Sequence, residues 1–209
     1  MERLYTSTPK EYISNLPLYK YDGPIIVVDT PEACSDALEE LSHAKIVGID
    51  TETRPSFKKG CTNSVALLQV ANGEKCFLFR LNKLGFRHPI AKLLSNPDIK
   101  KVGLSLHDDI NGLQQLSKFK PAGLIELQAM AKEFGVEDQS LRKLFANFFK
   151  LRISKSSQLS NWEASELSPQ QLLYAATDAH TCLMLLQKME ELRESRDYEI
   201  IPLSEPTTA

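Results

Sequence analysis

The chain has 209 residues, 42% hydrophobic and 25% charged, with a formal net charge of −2. These values fit one globular domain with short terminal additions, and they argue against a chain that binds nucleic acid through bulk positive charge. A local basic surface or a bound metal could still supply a positive field. The four cysteines, Cys34, Cys61, Cys76 and Cys182, form no CxxC pair. That spacing argues against a zinc knuckle and against a disulfide framework, and it fits a reducing intracellular compartment, so a cytoplasmic location is expected. The first twelve residues lack the apolar core of a signal peptide, and no apolar run is long enough to span a bilayer, so no membrane partner is expected.

In chain order, residues 1–24 are polar with three prolines and read as an extension over the surface. Ile25, Ile26, Val27 and Val28 make a short strand. Thr30, Pro31 and Glu32 follow as N-cap, first helical position and first-turn acid, opening a helix over 31–42. Residues 54–63 form a loop, and Val65 to Val70 is a second buried strand. Asn72-Gly73 signals a hairpin, with the return strand at 76–79. A helix over 88–95, a strand over 100–104 and a helix from Asp108 to Leu116 come next. A strand or turn at 124–127 leads to helices near 128–134 and 140–148. Residues 149–162 are a long polar connection ending at Trp162, the only tryptophan. Ser168, Pro169 and Gln171 carry a capping-box pattern, and the apolar period runs on to about Arg196. Hairpin strands followed by strand–helix alternation predict a mixed sheet with helices on both faces. The catalytic unit is expected over 25–196 and a loose tail over 197–209.

Between the first helix and the loop lies the stretch Ile46 to Thr53. Ile46, Val47 and Ile49 are β-branched residues of a central strand. The strand ends in Asp50 and Glu52, two apart and therefore on one face. Like charges on one face repel, and burial increases the repulsion. A bound cation would offset it; a solvated strand end that carries two acids is the competing reading.

Asp108 and Asp109 open a helix, where an acid caps free N–H groups or favours the dipole without further purpose. Asp109 shares a face with Leu113 and Leu116 and is expected to point inward, with Asp108 outward. Asp178 lies within the last long helix with Tyr174 one turn earlier on the same face. Leu172, Leu173, Ala175, Ala176 and Ala179 around them are a buried-helix composition, in which an acid needs a partner. The alternative is a wet stripe shared with Thr177 and His180.

Taken together, Asp50-Thr51-Glu52, the run from Gly103 to Asp109, and Tyr174 to Ala179 resemble the three motifs of the DEDD 3′–5′ exonucleases, tyrosine branch. This is the family of ribonuclease D and of the Werner syndrome helicase exonuclease domain, and Ser160, Asn161 and Trp162 extend the likeness. The likeness spans about residues 25–190. The histidine branch would place a His five residues before Asp178, where this chain has Leu173. The resemblance implies a ribonuclease-H-like α/β fold with the Asp50 strand central. It implies that Asp50, Glu52, Asp109 and Asp178 hold two divalent ions, and all-oxygen ligands suit Mg²⁺ or Mn²⁺. Two such ions stabilise the attacking and leaving oxygens of an in-line displacement. Tyr174, with a reference pKa of about 10, is expected to orient the attacking water rather than act as a free base.

The implied activity is release of 5′-mononucleotides from the 3′ end of DNA or RNA. The rivals are a nucleic-acid-binding module on the same fold that has lost catalysis, and an endonuclease or transferase. The implied partner is a single-stranded or 3′-ended nucleic acid; protein partners are not specified. Gln139 to Trp162 contains no acid but carries Arg142, Lys143, Lys150, Arg152 and Lys155, a candidate phosphate track or simply a solvated face. Lys58 and Lys59 are further candidates for the backbone, Phe57 for the terminal base, and Thr51, Ser160 and Asn161 for polar contacts.

Overall fold

The computed structural model describes residues 1–56 and 63–202. In chain order its elements are β1 (Glu2–Tyr5), α1 (Lys10–Ser14), β2 (Ile25–Val28), α2 (Pro31–Ser42), β3 (Ile46–Thr53), β4 (Val65–Ala71), β5 (Cys76–Arg80) and α3 (Leu81–Leu84). There follow α4 (His88–Ser95), β6 (Lys100–Gly103), α5 (Leu106–Leu116), β7 (Leu124–Glu126), α6 (Leu127–Glu133), α7 (Leu141–Phe149), α8 (Pro169–Ser195) and β8 (Tyr198–Ile201). Six strands form one mixed sheet in the order β2-β5-β4-β3-β6-β7. β3 is antiparallel to β4 and parallel to β6. This is a ribonuclease-H-like α/β architecture, with the acid-bearing strand inside the sheet as expected.

The period of two along β3 decides which side is which. Val47 and Ile49 join Leu68, Val70, Phe77 and Phe79 in a core that includes residues of α2, α4 and α5. The opposite face, with Gly48, Asp50 and Glu52, turns toward α8. Gly48 explains how close that helix comes: a Cβ there would lie 2.1 Å from the Ala179 carbonyl. Ala175, Ala176 and Ala179 are fully buried against the sheet, so small residues on both sides bring the two backbones together. The β4–β5 hairpin turns at Gly73, whose φ of +94° suits glycine, and the Asn72 side chain accepts from the Glu74 and Lys75 amides. α8 starts with the predicted capping box between Ser168 and Gln171.

The termini differ from expectation. The tail expected to be loose from residue 197 begins with β8, which pairs in parallel with β1. Leu4 is fully buried, and the Asn147 amide of α7 bonds both main-chain groups of Tyr5 at 2.8 and 2.7 Å. Buried Asp138 accepts from the Thr8 amide at 3.0 Å and pairs with Lys143 at 3.0 Å. The N-terminal segment is thus stitched onto α7 rather than laid over the surface. Among the described residues no helix is long and apolar enough to cross a membrane.

Candidate active site

Three elements, β3, α5 and α8, bring the acids together at the C-terminal half of β3. β3 supplies Asp50 and Glu52 on its α8-facing side, and α8 supplies Asp178. Carboxylate oxygens of these three residues all lie within 4.8 Å of one another. Asp178 is only 6% exposed, so the wet-stripe reading does not hold. Asp109, on the first turn of α5, stands outside that group of three. Its Oδ1 accepts a hydrogen bond from the Thr51 hydroxyl, while Asp108 is exposed, as the helix-face argument anticipated.

The electrostatics follow from the packing. Burial raises the pKa of Asp50 well above the usual range, and repulsion from Asp109, Asp178 and Glu52 adds to it. Burial, with Asp178 and Asp109 adding, raises Glu52 to about 9. Asp178 is raised to about 7 by burial, against a hydrogen bond from Tyr174 and the Arg142 charge. Asp109 rises to about 6, again through burial, with the Thr51 bond opposing. Burial and the acids push the Tyr174 hydroxyl far up, so it stays protonated at neutral pH. Acids that repel in this way fit a hard divalent cation, and the donor set is entirely carboxylate oxygen. The neighbouring Cys182 thiol also borders the site, but burial pushes its pKa well up and it donates to the Asp178 carbonyl at 3.3 Å, so it stays protonated and is a poor metal ligand.

A cavity of about 410 Å³ opens over these acids. Besides Asp50, Thr51, Glu52, Tyr174 and Asp178, its wall includes Arg142, Lys155 and Gln158. Of the predicted phosphate track, Arg142 and Lys155 therefore reach the site. Lys150 and Arg152 do not line the cavity. The Lys150 ammonium donates to the carbonyls of Arg3 and Asn147, and Arg152 Nε donates to the Leu16 carbonyl at 2.9 Å. Ser160 and Asn161 build the turn before Trp162: Asn161 Oδ1 accepts from the Glu163 amide at 3.1 Å, and its carbonyl accepts from Gln171 at 3.2 Å. Trp162 is fully buried with its ring centre 6.0 Å from that of Tyr174. Phe57, Lys58 and Lys59 lie outside the described residues.

Three neighbouring residues escaped the sequence reading. Ser105, with a left-handed φ of 60°, begins α5 just before Asp109. Glu126 accepts from the Ser105 and Leu106 amides at 3.1 and 2.8 Å, and also from Gln128 N at the start of α6. One carboxylate thus caps two helices and fixes the turn that delivers Asp109. Gln69 stands opposite Asp50 in the β3–β4 register, fully buried, with neither amide atom hydrogen-bonded among the described residues. A lone polar residue inside the apolar run Val65 to Ala71 was the available signal.

Comparison with known proteins identifies the family. Residues 25–194 match the family model described as 3′-5′ exonuclease. The chain is 33% identical over 191 residues to the bifunctional 3′-5′ exonuclease/ATP-dependent helicase WRN of Mus musculus, covering 87% of this chain and 14% of that protein. The first of the curated relatives are much longer: the chain spans between 14% and 28% of their length. Among solved structures, the Nibbler EXO domain of Aedes aegypti superposes with a TM-score of 0.78 at 20% identity, covering 87% of this chain and 95% of that one. The Trypanosoma brucei RNase D complex with RNA superposes with a TM-score of 0.73 at 23% identity, covering 80% and 63%. At those identities the superpositions establish a shared fold, and the family match, spanning most of the chain, establishes more: this chain belongs to the 3′-5′ exonuclease family.

Proposed function

We propose that this chain is a divalent-metal-dependent exonuclease of the tyrosine branch, which removes 5′-mononucleotides one at a time from the 3′ end of DNA or RNA. The observation that carries the reading is the approach of the Asp50, Glu52 and Asp178 oxygens to within 4.8 Å, beneath an open cavity bordered by Tyr174. Asp50, Glu52, Asp109 and Asp178 would hold two ions, Mg²⁺ or Mn²⁺. Such ions supply an activated water and stabilise the charge that develops on the attacking and leaving oxygens.

The chain's own residues do the rest. Tyr174 keeps its proton and so cannot act as the base; its hydroxyl, which donates to Asp178 in the metal-free fold, would orient the attacking water through its oxygen. Glu52, at the cavity edge, accepts a hydrogen bond from the same water. Thr51 spends its hydroxyl on Asp109 and thereby fixes the one carboxylate that comes from α5. Lys155 offers a point charge to the backbone of the entering strand. The relation to an RNase D solved with RNA supports a nucleic-acid substrate.

The test is hydrolysis of matched 3′-labelled single strands of DNA and RNA, under one salt condition, with Mg²⁺ and then Mn²⁺. Release of labelled mononucleotide is expected. Inactivity with both metals on both strands would sink the reading.

A further inference from the structure

We propose that Arg142 is a phosphate clamp of this site, donating its guanidinium to the non-bridging oxygens of the phosphodiester at the 3′ end. The inference rests on the nuclease reading above and adds to it a substrate-binding residue.

Three features of Arg142 carry it. The first is position. Arg142 lies in the first turn of α7 and lines the same cavity as Asp50, Glu52 and Asp178. Its charge bears on Tyr174 and on Asp178, the two α8 residues of the site.

The second is that it is anchored but unspent. Its Nε donates to the Ile153 carbonyl at 3.2 Å, which fixes the plane of the group. Among the described residues neither η nitrogen has a hydrogen-bond acceptor, and no carboxylate lies within ion-pair distance. Asp178 is near enough to feel the charge without being paired to it. A planar fork held by one nitrogen, on a residue of the cavity wall, matches the bidentate geometry of a phosphate.

The third is that the position opposes helix stability. A cation in the first turn faces the positive end of the helix dipole. Lys143, next to it, is compensated by Asp138 at 3.0 Å, and Ser140 caps the helix by accepting from Lys143 N. Arg142 has no such compensation, and α7 has no acid in its first turn. An anion arriving in the cavity would supply it. The need is physical as well: a phosphodiester entering among four carboxylates meets repulsion, and a fixed guanidinium at the rim gives it a binding site of opposite sign. Ile153 and Lys155 belong to one segment, so the connection that anchors Arg142 also brings the second cation of the cavity wall.

The experiment uses the full chain with Arg142→Gln and Arg142→Lys. One readout is kcat and KM on a single-stranded oligonucleotide. The other is the Kd, in EDTA so that nothing turns over, of two oligonucleotides that differ only at the 3′-terminal linkage. One carries the normal phosphodiester and the other an uncharged methylphosphonate. The metal-induced rise in Tm is measured on each variant to show that the carboxylates and the fold are intact.

Arg142→Gln is expected to weaken binding of the phosphodiester strand by roughly tenfold or more, the scale of a charge-assisted hydrogen bond, with Arg142→Lys in between. Binding of the methylphosphonate strand is expected to be the same for wild type and Arg142→Gln. Equal losses on the two strands, or wild-type binding by Arg142→Gln with the phosphodiester, would overturn the clamp. Should the wild type fail to cleave under any condition, the nuclease reading falls, while the EDTA binding comparison still judges Arg142 on its own.

Discussion

Replacing Asp178 with Asn is expected to make the metal-free protein more stable while removing the property that metal confers on it. In the fold Asp178 is buried, and its pKa rises from 3.8 to about 7. A carboxyl whose folded pKa lies above its unfolded value binds its proton more tightly in the fold. Its contribution is therefore most favourable below about pH 4 and is lost as pH rises toward 7. At pH 8 without metal, the fold carries the full penalty of an ionised, buried, repelled carboxylate. Three pKa units correspond to about 4 kcal/mol, a figure that already includes the bond from Tyr174; the amide replaces the protonated carboxyl imperfectly, leaving roughly 2 kcal/mol. For a chain of this size that is a rise of about 4–8 °C in Tm. Scanning calorimetry in EDTA at pH 8 is the assay, repeated at pH 5, where the wild-type carboxyl holds its proton and the advantage of Asn should shrink. Adding Mg²⁺ or Mn²⁺ should raise the wild-type Tm by mass action and leave Asp178→Asn nearly unmoved, so that the gap narrows or reverses. A variant less stable than wild type in EDTA at pH 8, or one that gains as much from metal as wild type does, would refute the reasoning.

Gly48→Ala should drive α8 away from β3, because its Cβ would sit 2.1 Å from the Ala179 carbonyl. A loss of about 3 kcal/mol is expected in urea unfolding, and a wild-type midpoint would contradict the close-approach argument. Glu126→Ala uncaps α5 and α6 and should cost about 1–2 kcal/mol while lowering kcat more than it changes KM. Unchanged kcat would remove Glu126 from any role in placing Asp109. Lys101 is fully buried, and burial lowers its pKa from 10.5 to about 8. Between those values the unfolded chain holds a proton that the fold does not, so wild-type stability relative to Lys101→Met should rise with pH above 8, by about 2 kcal/mol toward pH 10. Parallel stability curves for the two proteins would show that Lys101 does not titrate differently on folding.

Much of the site was legible because its chemistry is written in short spacings. Asp50 and Glu52 fall on one face by the period of a strand, and Tyr174 and Asp178 by the turn of a helix. The inward turn of Asp109 could be derived from Leu113 and Leu116. Gly48 opposite Ala179 then makes possible the approach that those spacings need. The basic residues were less legible, since sequence shows a charge but not which group it meets. Lys150 spends its ammonium on main-chain carbonyls and Arg152 lies off the cavity wall, whereas Arg142 and Lys155 reach the cavity. The β1–β8 pair was hidden for a different reason. Four residues carry too little pattern to mark a strand, and the partners Glu2 and Tyr198 lie at opposite ends of the chain. Glu126 resembled an ordinary acid between a strand and a helix, and its double capping role exists only once β7 lies beside β6.

The central claim is that these acids cut a nucleic acid from its 3′ end. The most direct measurement follows a 5′-labelled single strand in Mg²⁺ or Mn²⁺, with wild type beside Asp50→Asn. The expected result is a ladder that shortens by one nucleotide at a time with wild type, and an intact strand with Asp50→Asn, whose far-UV circular dichroism matches wild type. Internal fragments without a ladder, or a ladder that persists with Asp50→Asn, would contradict the account.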